Sequence, residues 1–523
     1  MSVSRSNPRR FSGRQKRWWS IGNVARRILH LGNIVNNGYL NSKFLRRHGW
    51  AADSVTIDYF HVQAQPEWEE VAVIDPALSH TEPDWSRVEL NGYQRPPWFH
   101  DVRFADVPRL AEAIRRGAPS GRRGDLLPPR HADPPPSPVS SAASLGRRVL
   151  SRLGLLGLGR AARSGHRVLT ETLAPTGVAH RLVREFSAAY PDRQERLTLA
   201  DVLDTQPRSV GHGPLFALYP LIQAYSLDPI HVIVNNPDQP LICFEHGTMR
   251  EFPFESSARG RLYALALKKA ERVFITNADC NRSAERLGLR NYTYVPHPVD
   301  EELYRPAPSP LAERLRREHG CDYIFVAPAR HHWKHSPPGL ENSWLKRNDI
   351  MIRALGKFFA AHPGTRALVV FFEWGQEVEL SKALVEECGF AGRTRWEPIA
   401  SKPVMRDYYN AADIVFDQFN DGIGTFGTVV PEALACAKPV LLNYKKELHH
   451  WCFPELPPAL NAGTEDQIVA IVKTLIDDPS YRVALGQQGR DWFLTHHSSK
   501  IVAAKMIDAY LEISDRHGWG WTR

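Results

Sequence analysis

Short apolar runs alternate with amphipathic stretches along most of the chain, and the two periods predict strands and helices in turn. The run Ile28 to Gly32 ends in a polar, glycine-bearing turn, NIVNNG, and a helix follows over Tyr39 to Arg47. Val55 to Tyr59 reads as a second strand. His231 to Val234, Leu241 to Phe244, Arg272 to Thr276 and Tyr292 to Val295 are further short apolar runs, with a helix over Ala258 to Lys269. A Pro-rich joint, Arg305 to Pro310, interrupts the pattern, which then restarts. Strands are predicted at Tyr323 to Ala327, Ala367 to Phe372, Ile414 to Phe416 and Pro439 to Asn443. Helices are predicted at Asp349 to Ala361, at Val378 to Cys388, and from Pro431 to Ala435. Such alternation means parallel sheets covered by helices on both faces. Two sets on either side of a joint mean two doubly wound α/β domains. Ligands of open α/β sheets sit beyond the carboxyl ends of strands, so the expected site is a cleft between the domains. A last helix, Ser498 to Ile513, carries one apolar stripe (Val502, Met506, Ala509, Ile513) that either caps its own domain or crosses to the first.

Composition narrows the class. The chain has 523 residues, 43% hydrophobic and 24% charged. At roughly 150 residues per domain this suggests two to four domains and excludes a disordered, fibrous or small disulfide-built protein. The six cysteines (Cys243, Cys280, Cys321, Cys388, Cys436, Cys452) are far apart and include no C-x-x-C pair, which points to thiols in a reducing compartment. The best uncharged run, Ser209 to Leu227, is broken by Gly211, Gly213, Pro214 and Pro220, so no membrane span is expected. Met1 to Trp19 is polar and basic rather than signal-like, and a cytoplasmic protein is the expectation.

The net charge of +9 is unevenly placed. A tail over residues 1–27 holds Arg5, Arg9, Arg10, Arg14, Lys16, Arg17, Arg26 and Arg27 and no acid. A second basic region, Arg103 to Arg184, encloses the Pro/Ser stretch Pro128 to Ser144, which reads as a mobile loop. These are either a solvated tail and a solvated insertion at about 104–200, or attachments to an anionic membrane surface. In the second case each Lys or Arg near the lipid adds about 1 kcal/mol. Arg147 to Arg163 mixes Arg with Leu, but its leucines gather on no single helical face and its glycines weaken it. No nucleic-acid-binding module is recognisable, so no nucleic-acid partner is expected.

The segment GTFGTVVPEALACAKPVLL (Gly424 to Leu442) resembles the donor-site signature of GT-B glycosyltransferases of the family 4 type. VPHPVDEELYRP (Val295 to Pro306) resembles the stretch between their two domains. LGNIVNNGYLNSKFLRRHG (Leu31 to Gly49) and FEHGTMRE (Phe244 to Glu251) are similar to their first-domain loops. The resemblance implies two Rossmann-like domains facing a cleft: an acceptor domain at 28–302 that carries the basic, Pro-rich insertion, a donor domain at 303–495, and a C-terminal helix at 496–515. It implies a retaining, nucleotide-sugar-dependent transferase that needs no metal or other cofactor. Its acceptor would be a glycan or a lipid-linked hydroxyl, in cell-surface polysaccharide assembly. The alternative is a non-catalytic nucleotide-sugar- or carbohydrate-binding protein of the same fold. A phosphorylase or a nucleotide-sugar epimerase is a third reading, though no pyridoxal phosphate lysine motif marks a phosphorylase.

The residues themselves fit a diphosphate, a ribose and a sugar. Thr425, Phe426, Gly427 and Thr428 precede a helix whose amides and dipole would attract phosphate. Glu432 is suited to a ribose diol, or else merely caps the helix. Arg330 and Lys346 match by position the cations that neutralise the diphosphate, or are ordinary surface cations; Lys334 competes with Lys346 for the role. The family carries a first glutamate where this chain has Gly424. Asp417 or Asp421 would replace it, unless both only form turns. His246, after a strand, is placed to approach the transferred sugar and heads the catalytic candidates with those two aspartates. Arg250, Gly38 and Asn37 are candidates for the first-domain side, with Glu251 a possible neighbour and Asn36 and Asn37 equally suited to a turn. His331, His332 and His335 have no Cys or acid at ligand-like spacing, so no metal site is expected.

Overall fold

The computed structural model describes residues 26–117, 176–336, 345–422 and 424–523. The basic residues before 26, the Pro/Ser stretch and Arg147 to Arg163 lie outside them.

Two parallel sheets form the frame. The first has the order β3-β2-β1-β4-β5-β6-β7. Its strands are β1 (Arg27–Leu31), β2 (Ala51–Ile57), β3 (Phe99–Val102), β4 (Leu221–Tyr225), β5 (Leu241–Phe244), β6 (Arg272–Ile275) and β7 (Tyr292–Tyr294). The second has the order β10-β9-β8-β11-β12-β13. It comprises β8 (Tyr323–Ala327), β9 (Ala367–Phe372), β10 (Thr394–Glu397), β11 (Ile414–Phe416), β12 (Val440–Leu442) and β13 (Leu460–Asn461). Strand order switches at β1/β4 and at β8/β11 in these parallel sheets, which puts a ligand crevice at each of those carboxyl ends.

Each sheet is buried on both faces because successive strand side chains point to opposite sides. Ile28 packs in one first-domain core and Leu29 and Leu31 in the other. Val326 and Phe325 divide in the same way between the two second-domain cores. At the joint, the Ser309 hydroxyl accepts from the amide of Ala312 at 3.1 Å and Pro310 opens the helix Pro310–His319, a standard helix start. The last helix, Ser499–His517, crosses back. Val502, Met506, Tyr510 and Ile513 join Ile28, Phe44 and Trp50 in a first-domain core. The Tyr510 hydroxyl donates to Gln223 Oε1 of β4 at 2.7 Å.

Three expectations change. His231 to Val234 is not a strand but part of the helix Pro229–Asn235, whose first turn holds the proline; four apolar residues are too few to separate the two periods. The predicted second strand begins four residues earlier and ends at Ile57, where Asp58 takes a left-handed φ of 51°. The margins of the insertion at about 104–200 are not loose. Helices at Val107–Arg115, 176–189 and Leu199–Thr205 deliver Val107, Leu110, Leu182, Phe186 and Val202 to the first core. Their basic residues lie on the outer faces of amphipathic helices, which disguised them as a solvated region.

Between β2 and β3 the chain makes a long excursion with a small core of its own, built on Val62, Trp68, Val71, Val73, Leu78 and Trp85. Arg95 pins it, pairing with Glu67 at 2.8 Å and Asp101 at 2.5 Å. It reaches the second domain: Ile74 bridges Ala400 in antiparallel fashion, and Ser401 bonds to Val71 and Val73.

Candidate donor site between the domains

The domains enclose a cavity of about 290 Å³ at the β8/β11 crevice. Arg330 and Lys346 line it just beyond β8 and ahead of the helix Asn348–Ala361; Asp417 lines it at the end of β11. Gly427, Thr428 and Glu432 line it from the start of the helix Val429–Ala435.

Burial shapes the charges. It pushes Lys346 down to about 8, with Asp417 opposing and Arg330 and Arg250 adding to the shift. Burial pushes Asp417 up to about 6 against the attraction of Lys346. One Asp417 oxygen, Oδ2, is buried with no hydrogen-bond partner. Glu432 is only 4% exposed, and both oxygens are engaged: Lys402 Nζ lies 2.5 Å from Oε1, and the Tyr409 hydroxyl donates to Oε2 at 2.9 Å.

The sequence candidates separate. Lys346 faces the cavity, whereas Lys334 is exposed and gives only its backbone N–H, to Glu377 at 2.7 Å. Asp417 faces the cavity; Asp421 is exposed and accepts from the Asn443 amide. Thr425 and Phe426 turn into the second domain, where Phe426 stacks on His449 at 4.7 Å and the Thr425 carbonyl accepts from Gln418. Gly424 has a φ of +66°, and an added Cβ would fall 2.7 Å from side-chain carbons of Lys445. A glutamate there is doubly disfavoured, by backbone and by crowding.

In the first domain His246 follows β5 and sits among Phe244, Tyr225 and His297, its ring 5.4 Å from that of His297. Burial holds it well below the ordinary histidine range, so the ring is neutral, and its buried Nε2 has no partner. It does not line the cavity. Arg250 is clamped by Asp279 at 2.5 and 2.7 Å, yet its field reaches both Lys346 and His297. Gly38 answers to packing, because a Cβ would fall on the carbonyl of Gly32. Asn37 donates to the Ile34 carbonyl at 3.1 Å, and its buried Oδ1 has no partner. At the β1/β4 crevice the Asp228 carboxyl stands over Gly32, and burial pushes it up to about 7.

Several lining residues carried no sequence signal. Gln63 and Trp68 come from the excursion, and Trp374, Met405 and Tyr409 from beyond β9 and β10. Val35 also lines the cavity, with φ 49° and ψ 41°. A β-branched residue there is strained, and such strain clusters at functional sites. The loop is held to the excursion by Asn33, which donates to the Ala64 carbonyl at 2.7 Å, and Asn36, which donates to the Gln65 carbonyl at 2.8 Å. The three histidines face other partners: His331 bonds to Ser381, His332 to the His335 carbonyl, and His335 to Glu377. Among the described residues no group of His, Cys, Asp and Glu converges to hold a metal ion.

Two facing parallel α/β domains with a cationic cavity between them define the GT-B class. At the level of fold, sucrose-phosphate synthase from Thermosynechococcus elongatus superposes with a TM-score of 0.51 at 14% identity, over 94% of this chain and 99% of that one. The N-terminal domain of Candida albicans trehalose-6-phosphate phosphatase gives 0.52 at 10% identity, over 93% and 97%. Residues 353–508 match the glycosyl transferase-like family model. A D-inositol 3-phosphate glycosyltransferase from Thermobispora bispora is 30% identical over 181 residues, 33% of this chain and 41% of that protein. One from Catenulispora acidiphila is 29% identical over 207 residues, 36% and 44%. The chain thus spans about half or less of the length of the curated relatives it matches. The resemblance to GT-B glycosyltransferases of the family 4 type stands, and its family match lies in the second domain.

Proposed function

We propose that the chain is a retaining glycosyltransferase that moves a sugar from a nucleotide-sugar to a hydroxyl of a glycan or lipid-linked acceptor, in cell-surface polysaccharide assembly. The cavity carries this reading: Arg330, Lys346 and Glu432 all line it, and Arg330 is near enough to Lys346 to act on its charge. Two cations in a water-poor pocket suit a diphosphate whose charge grows as it leaves. Glu432, already oriented by Lys402 and Tyr409, retains lone pairs for a ribose diol. Asp417, largely ionised at neutral pH with Oδ2 open, is suited to receive a sugar hydroxyl. In this reading it takes the place of the glutamate that Gly424 cannot supply.

The leaving phosphate takes the proton of the acceptor hydroxyl on the same face of the sugar, so no enzymic nucleophile is needed. Neutral His246 and clamped Arg250 lie on the acceptor side, and Asp228 stands at the first domain's own crevice. Arg330 and Lys346 supply the positive charge, so no metal or other cofactor is invoked. The place of action is the cytoplasm, at the membrane face where the basic tail would hold the enzyme. No described helix is long and apolar enough to cross a membrane. The curated relatives are named for D-inositol 3-phosphate, but they match about a third of this chain, and the acceptor proposed here rests on the family resemblance and the basic tail.

The test is incubation with a panel of nucleotide sugars, with and without acceptor extracts, and measurement of nucleoside diphosphate release. Release with at least one donor is expected. The geometry at Gly424 favours one second reading, a donor-binding protein that has lost transfer; donor binding with no release under any acceptor would establish that reading instead.

A further inference from the structure

We propose that Glu69, in the first domain, is a positioning residue of the donor site: it acts through Lys402 on Glu432, so that the nucleoside end of the cavity is complete only with the two domains docked. This rests on the nucleotide-sugar reading above.

Glu69 belongs to the short helix Pro66–Glu70 of the excursion, whose Trp68 lines the cavity. The other acids of that helix are occupied. Glu67 is tied to Arg95, and Glu70 to Lys43 and the Tyr39 hydroxyl. Glu69 is buried and faces the second domain, and Asn36 donates to its Oε1 at 3.3 Å. Lys402 pairs directly with Glu432 at 2.5 Å, and Glu69 lines the same small crevice between the domains as Lys402 and Glu432. Burial works against its charge, but Glu432 and Glu69 together raise it above the ordinary lysine value. The register is set by the residue next door. The Ser401 hydroxyl donates to the Val71 carbonyl at 2.7 Å and accepts from the Val73 amide at 2.7 Å, while the Ser401 amide donates to the Val73 carbonyl at 2.9 Å. Three bonds across the domain boundary therefore hold Glu69 opposite Lys402.

Two carboxylates and one ammonium in one crevice leave the group with one net negative charge when both acids are ionised. Burial pushes Glu69 up to about 7, with Lys402 opposing and Glu432 and Glu70 adding to the rise. The donor's diphosphate brings negative charge into the adjoining cavity, and added negative charge nearby favours the neutral form of Glu69. Donor binding then raises its pKa and takes up a proton, so affinity is highest below pH 7 and falls as pH rises through that range.

The experiment is calorimetric titration of the full chain and of Glu69→Gln with UDP-glucose, GDP-mannose and ADP-glucose at pH 6, 7 and 8. These probes have no titrating phosphate oxygen in that range. For a one-unit rise from about 7, the ratio of wild-type to variant Kd should climb about fivefold between pH 6 and pH 8. Lys346 titrates alike in both proteins and cancels. A flat ratio would overturn the proposal and leave the nucleotide-sugar reading intact; a wild type that binds none of the probes would bring down that reading instead. Should Glu69→Gln fail to fold, wild-type heats in two buffers of different ionisation enthalpy decide the matter. Uptake of about 0.4 proton at pH 7 is expected for the same shift, against at most about 0.1 from Lys346, and uptake no greater than about 0.1 would refute it.

Discussion

The two domains build their sides of the cavity by different means. In the second, Arg330, Asp417 and Glu432 come from the carboxyl ends of strands or the helix that follows, so the sheet itself aims them. In the first, Gln63 and Trp68 come from an excursion that leaves the sheet after β2 and returns only at β3. Its own small core, the Arg95 ion pairs and the seam with Ser401 hold it. A site on strand ends is as rigid as the sheet. A site on an excursion depends on side-chain and interdomain bonds that individually contribute only about 0.5–1.5 kcal/mol. The second domain should therefore supply the reacting charges, and the first should set access and fit.

The largest expected effect lies on the rigid side. Arg330→Ala and Lys346→Ala should lower kcat by on the order of 10²–10³, as lost stabilisation of the departing charge does. Each should also weaken donor binding roughly tenfold. Steady-state kinetics on folded variants check this, and Lys334→Ala at wild-type rate completes the contrast. Unchanged kinetics in Arg330→Ala and Lys346→Ala would break the comparison at its root.

Next is the split between sugar and nucleotide. Asp417→Asn and His246→Ala should cut turnover roughly tenfold or more while leaving nucleoside diphosphate affinity nearly unchanged. Asp421→Asn should do little, since that side chain is exposed and only holds Asn443. Glu432→Ala should do the opposite and weaken nucleotide binding by on the order of 1.5–3 kcal/mol, read by calorimetry.

A pH profile sharpens the assignment. Asp417, raised to about 6, must be ionised, and Lys346, lowered to about 8, must be protonated. The ratio kcat/KM should therefore fall below about pH 6 and again as pH rises through about 7 to 8, where Glu69 ionises and Lys346 then loses its proton, these being properties of the free enzyme. In Asp417→Asn the acid limb should vanish while the alkaline limb stays. An acid limb that persisted in the variant would assign it elsewhere.

On the excursion the effects should be smaller and should appear in KM. Ser401→Ala removes the two seam bonds made by the hydroxyl, at a cost of about 1–2 kcal/mol. Faster hydrogen exchange over residues 62–78 with the second sheet unchanged is the expected pattern. A global loss of protection would mean that the excursion is part of the main fold and not a separately held wall. The smallest effect belongs to the basic tail. Deleting residues 1–20 should weaken co-sedimentation with anionic vesicles at low salt and leave neutral vesicles indifferent, because exposed charges are screened over about 8 Å at physiological ionic strength.

The β–α alternation, the joint at Arg305 to Pro310 and the signature around Glu432 were legible because they are local: period, proline chemistry and a contiguous motif. So was the place of Lys346, which leads straight into its helix. The strand β3, the helix Pro229–Asn235 and the margins of the insertion were not. They are short or carry basic outer faces, and only the neighbours they pack against distinguish them from loops.

Residue type and order alone determined two doubly wound domains and singled out Arg330, Lys346 and Glu432 as candidates. Tertiary structure alone decided which of two lysines and which of two aspartates face the cavity, since each pair is chemically alike and differs only in where the backbone turns it. It also decided the target of the last helix, whose apolar stripe would fit either domain until Trp50 and Phe44 supplied its partners. And it brought Glu69 into one crevice with Lys402 and Glu432, residues far apart in sequence whose charges act on one another only because the domain seam buries them together.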